Sequence, residues 1–125
     1  MILDTCALIW LATGDPRLSD AARREISKSP DVGVSAITAF EIGVKQAKGK
    51  LTLPADPTTW FENALLLHGL SACPVDHLIA LRASELPPIH ADPCDRMIIA
   101  TSQILDRPIV TLDSKFSLYE VSVIS

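Results

Sequence analysis

Four acidic residues are placed along the chain where their carboxylates could work together. They are Asp4, Glu41, Asp95 and Asp113. Two like charges about 4 Å apart repel by roughly 4 kcal/mol at an effective dielectric near 20, so several carboxylates at that range need a counter-ion. All-oxygen ligands select hard cations such as Mg²⁺ or Mn²⁺ over zinc. A cation held in this way can polarise a phosphodiester and lower the pKa of a bound water for in-line attack.

Each of the three aspartates also has a common structural explanation. Asp4 directly precedes a predicted helix and could cap it. Asp113 follows the apolar run PIVTL and could form a turn. Asp95 falls in the first turn of a predicted helix, where the helix dipole favours negative charge. The hypothesis of a site therefore depends on the four acids occurring together.

The stretch HADPCDR contains two aspartates for which we predict different roles. Asp92 stands before Pro93, and this pair matches a helix N-cap followed by proline at the first helical position. We predict that Asp92 is a structural helix cap, with a minor role at the edge of the site left open. Asp95 lies one turn into the helix, beside the apolar run MIIA, and is predicted to point towards the strand ends.

Glu41 lies in the segment 36–48, which is predicted to be helical. At about 100° per residue, four side chains share one helix face. They are Ile37, Phe40, Glu41 and Val44. We therefore expect a carboxylate in a core-facing stripe, which is costly to desolvate unless it is paired or binds a cation. A capping box from Thr38 and an ion pair with Lys45 are structural alternatives, but Ser35 is the better predicted N-cap.

Apolar runs alternate with helical segments along the chain. Short buried strands are predicted at 1–4, 32–35, 70–75, 108–112 and 120–124. Helices are predicted at 5–12, 19–27 and 36–48, from Asp56-Pro57 to Gly69, and from Asp76 to Pro87-Pro88. This alternation predicts a parallel sheet with helices on both faces. Ligands of such sheets bind beyond the carboxyl ends of the strands, where Asp4 and Asp113 are predicted to lie.

The composition limits the class of protein. With 125 residues, 48% hydrophobic and 21% charged, the chain is expected to form one folded domain. The net charge of −4 gives no global positive field for nucleic acid, although a local basic surface or a metal remains open. We expect no membrane span and no secretory signal. Three cysteines without metal-type spacing suit reduced thiols, so a cytoplasmic location is expected.

Four segments occur in a specific order along nearly the whole chain. They are LDTCALIW, VSAITAFEIGVKQAKGKLTLP, HADPCDRMIIATSQILD and IVTLDSKF. In this order they resemble the PIN-domain ribonucleases, in particular the VapC-type toxins of bacterial toxin–antitoxin pairs. The resemblance implies one PIN domain over 1–125, an α/β fold built as a three-layer α/β/α sandwich, with a parallel sheet of four to five strands in the order 3-2-1-4-5. It also implies Mg²⁺- or Mn²⁺-dependent cleavage of RNA, a homodimer and a small antitoxin that blocks the site.

The resemblance also implies roles for individual residues. The catalytic acids would be Asp4, Glu41, Asp95 and Asp113. Asp4, Asp95 and Asp113 would bind the metal directly, and Glu41 would do so directly or through water. The supporting polar residues would be Thr5, Thr111 and Ser35. On chemical grounds, and not from the resemblance, five basic residues are candidate contacts to RNA phosphates, with an ordinary solvated surface position as the favoured alternative for any one of them: Lys45, Lys48, Lys50, Arg96 and Lys115. Cys94 stands where the family often has an apolar residue, with no expected effect on the metal site.

Other functional classes fit the sequence less well. A phospho-acceptor receiver domain would need paired acids after the first strand, whereas Asp4 stands alone. A cysteine phosphatase needs an arginine six residues after the cysteine, and no cysteine here has one. The histidines His68, His77 and His90 are predicted to be structural. A PIN-like module that only binds RNA or protein remains an alternative, although gathered carboxylates would repel RNA.

Overall fold

The computed structural model describes residues 1–125 and contains every predicted strand and helix. The strands are β1 (Ile2–Leu3), β2 (Val32–Ser35), β3 (Leu70–Cys73), β4 (Ile109–Val110) and β5 (Val123–Ile124). The helices are α1 (Thr5–Thr13), α2 (Asp20–Lys28), α3 (Ala36–Ala47), α4 (Pro57–His68), α5 (His77–Glu85) and α6 (Pro93–Leu105). A short 3₁₀ helix at Phe116–Leu118 joins β4 to β5.

The five strands form one parallel sheet in the order β3-β2-β1-β4-β5. Ile2 of β1 is in register with Gly33 of β2 on one side and with Ile109 of β4 on the other. The predicted parallel sheet and its order are therefore confirmed. This order puts β1 in the centre, so the residues that follow β1 and β4 are neighbours.

Successive side chains of a strand point to opposite faces of the sheet, and each face has its own hydrophobic core. Leu3 points into the core that contains Leu8 and Ile42. Its neighbour Ile2 points the other way, into the core that contains Ile98 and Phe116. All six of these side chains are fully buried. Helices therefore cover both faces of the sheet, as a three-layer sandwich requires.

The helix ends follow local capping chemistry. Asp56 accepts a hydrogen bond from the Thr59 N–H (3.0 Å) at the start of α4, and Gly69 ends that helix with φ at 62°. Asp76 caps α5 in the same way, and Ser35 caps α3 through the Ile37 N–H at 3.2 Å. These contacts satisfy N–H groups that a helix leaves without partners in its first turn.

The prediction for the buried face of α3 is wrong. Phe40 is 62% exposed, and the fully buried residues of this helix are Thr38 and Ile42. The apolar residues Ile37 and Val44 are only partly buried. The reason is that α3 packs against α1, α4 and α6 through a face that includes a threonine, so the apolar pattern alone indicated the wrong side. Glu41 lies at the edge of the buried face.

Side chains of the neighbouring strands occupy the space over Gly33 in the middle of β2. A Cβ atom there would lie 2.6 Å from Cys73 Sγ and 3.1 Å from Ile2 Cδ1. The absence of a side chain at Gly33 leaves room on this face of the sheet for the side chains of Cys73 from β3 and Ile2 from β1. No helix is both long and apolar enough to cross a membrane.

Candidate active site

Asp4 lies at the carboxyl end of the central strand β1. Its main-chain N–H donates to the Val110 carbonyl (3.1 Å), which ties it to the neighbouring strand β4. Its side chain accepts a hydrogen bond from the Ala7 N–H at 2.7 Å and caps α1. The residue is only 5% exposed. Asp4 therefore has both positions that the sequence suggested: its carboxylate caps α1 and also borders the cleft described below.

Asp113 follows β4 and is held in place by its own loop. The Asp113 N–H donates to Thr111 Oγ1 (3.0 Å), and Asp113 Oδ1 accepts from the Lys115 N–H (2.9 Å). This is the turn-forming role that its sequence context favoured. The other carboxylate oxygen, Oδ2, accepts a hydrogen bond from His90 Nε2 at 2.9 Å.

The two aspartates of HADPCDR take different positions, as predicted. Asp92 accepts a hydrogen bond from the Cys94 N–H (2.8 Å) and caps α6, with Pro93 as the first helical residue. Asp95 lies one turn further on, and its Oδ2 atom is 3.1 Å from His90 Nε2.

Glu41 reaches the same region from α3. Its Oε1 atom accepts a hydrogen bond from Thr5 Oγ1 (2.7 Å), and its Oε2 atom forms an ion pair with Lys45 Nζ (2.9 Å). Thr38 Oγ1 lies 3.2 Å from Thr5 Oγ1 and extends this hydrogen-bond chain into the core. The Glu41 side chain is 13% exposed. The ion pair with Lys45, which the sequence offered as a structural alternative, is therefore present, and it lies at the wall of the same cleft.

These side chains line a cleft of about 350 Å³ beyond the carboxyl ends of β1 and β4. Five carboxylates border it, and one lysine is the only basic residue among its lining residues. The acids are Asp4, Glu41, Asp92, Asp95 and Asp113, and the lysine is Lys45. The structure thus brings together all four predicted catalytic acids. Thr5, Cys6, Trp10 and Leu112 complete the lining.

Charge crowding and burial change the acidity of the aspartates. Desolvation by burial, together with the nearby Asp92 charge, raises the pKa of Asp95 to about 7. Burial also raises the pKa of Asp4, although a side-chain hydrogen bond with Thr111 opposes the change. Burial acts in the same direction on Asp113, but hydrogen bonds from the Lys115 N–H and His90 outweigh it and lower the pKa of this carboxyl. A buried carboxyl whose ionisation is disfavoured gains most from a bound cation.

His90 is a site contact that the sequence analysis missed. It was predicted to be structural, yet its Nε2 atom lies within 3.1 Å of both Asp95 and Asp113. The Nε2 atom and one carboxylate oxygen from each aspartate all lie within 4.8 Å of one another. The signal in the sequence was a histidine two residues before the cap of α6, which is too weak to distinguish a site contact from a loop residue.

Two of the predicted site residues, Ser35 and Arg96, make contacts that stabilise the fold and do not line the cleft. Ser35 is fully buried and caps α3, so it supports the site only through that helix. The Arg96 guanidinium donates to four main-chain carbonyls, at distances of 2.8–3.2 Å. They belong to Ala83, Leu86, Pro87 and His90. This holds the α5–α6 connection and corrects the expectation that Arg96 contacts phosphate.

A larger groove, about 500 Å³, lies at the opposite edge of the sheet, beside the amino ends of β4 and β5. Arg82, Arg107 and Glu120 are among its lining residues. It contains no cluster of potential metal ligands, and ligand sites of parallel α/β sheets lie at the other edge.

The family comparison agrees with this arrangement. The family model described as "PIN domain" matches residues 1–121. The chain belongs to the PIN-domain family. This PIN domain is 27% identical over 103 residues to "Ribonuclease VapC22" of Mycobacterium tuberculosis, a match that covers 82% of this chain and 78% of that protein.

Solved structures share the fold of this PIN domain. A toxin–antitoxin complex from Klebsiella pneumoniae matches with a TM-score of 0.67 and 20% identity, over 99% of this chain and 95% of that chain. DNA-bound VapBC from Salmonella typhimurium matches with a TM-score of 0.69 and 18% identity, over 98% and 95% of the two chains.

The donor atoms of this PIN domain suit a hard divalent cation. Asp4, Asp95 and Asp113 offer carboxylate oxygens from three different elements, and such oxygens are the ligands that Mg²⁺ and Mn²⁺ prefer. The polar contact of the Asp95 side chain within the protein is the 3.1 Å distance from its Oδ2 atom to His90 Nε2. The excess of acids over bases in the cleft also favours a cation there. The residues present therefore fit a metal centre.

Proposed function

We propose that this chain is a single PIN domain over residues 1–125 that acts as a Mg²⁺- or Mn²⁺-dependent endoribonuclease. The observation that carries the proposal is the cleft in which five carboxylates face one lysine at the carboxyl ends of a parallel sheet. Such a concentration of negative charge repels RNA unless a cation offsets it. A module that only binds RNA has no use for it, and the PIN-domain match does not favour a receiver domain.

In this proposal, Asp4, Asp95 and Asp113 hold the cation, and Glu41 completes the site directly or through water. When bound, a divalent cation offsets charge on the phosphoryl oxygens and lowers the pKa of water. The protein keeps the carboxylates in place: the Ala7 N–H orients Asp4, the Lys115 N–H and Thr111 hydroxyl orient the Asp113 loop, and Thr5 orients Glu41.

Two basic side chains near the acids are proposed to contact the RNA backbone. Lys45 borders the cleft, and its ion pair with Glu41 holds the ammonium group 2.9 Å from that carboxylate. Lys115 is exposed and follows Asp113 in the same loop. Lysine contacts of this kind position a nucleic acid without reading its sequence. The identity of the RNA would then depend on the surface around the cleft.

We further propose that this enzyme is the toxin of a toxin–antitoxin pair in the cytoplasm, that it forms a homodimer, and that a small antitoxin blocks the cleft. The support comes from the relatives: the similar curated protein is named a VapC ribonuclease, and the similar structures include toxin–antitoxin complexes.

The central test is cleavage of a mixed RNA pool with and without EDTA. We expect cleavage that requires Mg²⁺ or Mn²⁺ and is lost in Asp4→Asn and Asp95→Asn. Asp20→Asn is the matched control, because Asp20 is exposed in the first turn of α2 and does not line the cleft. Cleavage that survives both chelation and the two cleft substitutions would refute the proposed function.

A further inference from the structure

We propose that His90 is a positioning residue of the acidic site. Its Nε2–H donates to Asp113 Oδ2 (2.9 Å), the same nitrogen lies 3.1 Å from Asp95 Oδ2, and the ring thereby holds the two carboxylates in the arrangement that receives the cation. The proposal rests on the proposed metal-dependent function. It differs from the simpler interpretation that His90 is a metal ligand, which the three clustered donor atoms alone would suggest.

The hydrogen bonds of the imidazole ring decide between a donor and a ligand. His90 Nδ1 faces the Asp92 main-chain N–H at 3.3 Å and accepts its hydrogen bond. A ring nitrogen that accepts carries no proton, so the neutral ring carries its proton on Nε2. Histidines that bind a metal normally show the reverse arrangement, in which the other nitrogen donates to a carboxylate or carbonyl. The Nε2 atom is therefore a donor to Asp113 Oδ2 at 2.9 Å.

The position of His90 is set by contacts that do not involve the acids. Its N–H donates to Tyr119 Oη (2.7 Å), and that hydroxyl donates in turn to the Pro87 carbonyl (2.8 Å). Its carbonyl accepts from Arg96 at 3.2 Å. The ring packs edge-on against Phe116, with 5.7 Å between ring centroids, and the residue is only 8% exposed. A ring held this firmly can impose a position on the carboxylates that it contacts.

The two aspartates differ in how much they depend on His90. Asp113 Oδ1 is also held by the Lys115 N–H, so its loop retains one anchor without the histidine. Asp95 has no side-chain hydrogen bond to any other residue, and its 3.1 Å contact with His90 Nε2 is its main polar contact. Removal of the Nε2–H should therefore take one of two side-chain hydrogen bonds from Asp113 and the only close polar contact from Asp95, and let the two like charges separate.

The first experiment reads the proton position without depending on catalysis. Long-range ¹H–¹⁵N spectra of the full chain in EDTA distinguish a ring protonated on Nε2 from one that is not. We expect the His90 signals to show an Nε2 proton. A ring with no proton on Nε2 would overturn the proposal.

The second experiment measures Mn²⁺ binding, with free Mn²⁺ counted by electron paramagnetic resonance. His90→Leu removes the donor, and we expect it to weaken binding by about tenfold or more, as is typical for residues that orient metal ligands. His90→Gln keeps an N–H group at the end of the side chain and should restore most of the affinity. His77→Gln, on the exposed start of α5, is the matched control. Circular dichroism and thermal melting check that each variant is folded.

The outcomes separate this inference from the proposed function. Wild-type protein that neither binds Mn²⁺ nor cleaves RNA would refute the proposed metal-dependent nuclease function, and the proposed role of His90 in positioning metal ligands would fall with it. Wild-type binding that is unchanged in His90→Leu would refute only the role of His90. Equal losses in His90→Leu and His90→Gln would show that the N–H donor is not what matters, and would also overturn the proposal. If His90→Leu does not fold, the affinity of His90→Gln and the proton position decide the question.

Discussion

Replacing Asp95 by asparagine should stabilise the cation-free protein at neutral pH, although it should abolish cleavage. Burial, Asp92 and the neighbouring acids raise the pKa of Asp95 to about 7, and the side chain is 20% exposed. The unfolded chain should ionise this carboxyl near its usual pKa of about 4. Ionisation is therefore harder in the folded protein than in the unfolded one. The resulting penalty is absent below about pH 4, grows between about pH 4 and pH 7, and is complete above that range.

The size of the effect follows from the shift. Three pKa units correspond to about 4 kcal/mol at about 1.4 kcal/mol per unit, and water at the open side of the cleft reduces this to about 2 kcal/mol. Asp95→Asn keeps the size of the side chain and an oxygen that can accept from His90, but removes the charge. In EDTA we expect the variant to be about 2 kcal/mol more stable than wild type near pH 8, and equal to it near pH 4.

Urea unfolding followed by the fluorescence of Trp10 and Trp60 measures this difference. Comparing the two proteins at each pH cancels the contributions of the other acids, because these are present in both. Asp20→Asn is the control for a surface charge change. Saturating Mg²⁺ or Mn²⁺ should then reverse the order, because a ligand at about 100 times its Kd adds about 2.7 kcal/mol to the protein that binds it. A variant that is no more stable than wild type near pH 8, or equally more stable near pH 4, would refute the reasoning.

Two further substitutions test the fold and the corrected role of Arg96. Gly33→Ala should destabilise the protein by about 1–3 kcal/mol, because the new methyl group would meet Cys73 Sγ at 2.6 Å. Adding Cys73→Ala in a double variant should recover part of this loss. Urea unfolding that is unchanged by Gly33→Ala would contradict the close contact. Arg96→Lys should lower the unfolding free energy by about 2 kcal/mol, because lysine cannot reach four carbonyls at once, and should leave the KM for RNA unchanged. Lys115→Ala should raise the KM for RNA and leave the unfolding free energy unchanged. A raised KM in Arg96→Lys without a loss of stability would restore the hypothesis that Arg96 contacts phosphate.

The local structure around the site was readable from short stretches of sequence. Asp92-Pro93 predicts the start of α6, and Asp56-Pro57 with Gly69 predicts both ends of α4, because a cap depends only on residues within one helical turn. The five strands were recognisable as short apolar runs for the same local reason. The sheet order came from the likeness to PIN domains, since runs of two to four residues carry too little information to specify their own neighbours.

Side-chain environments were less predictable than elements. The pattern in α3 pointed to Phe40 as a core residue, but the helix buries Thr38, whose hydroxyl is satisfied by Thr5 from another helix. A hydroxyl with a partner can be buried at little cost, and hydropathy cannot register a partner 33 positions away. The contacts of Arg96 were also not visible in the sequence, because the carbonyls that hold it belong to the end of α5 and to the loop that follows, whose path no local pattern specifies.

By itself, the sequence determined which carboxylates stand at strand ends and helix starts. Asp4, Asp95 and Asp113 each occupy a position set by a neighbouring turn or cap, and a parallel sheet necessarily brings such positions to one edge. Only the tertiary structure decided how these acids are held. The contact of His90 with two aspartates joins the loop before α6 to the loop after β4. That contact depends on β4 lying beside β1 and on Tyr119 anchoring the loop, and no local rule specifies either.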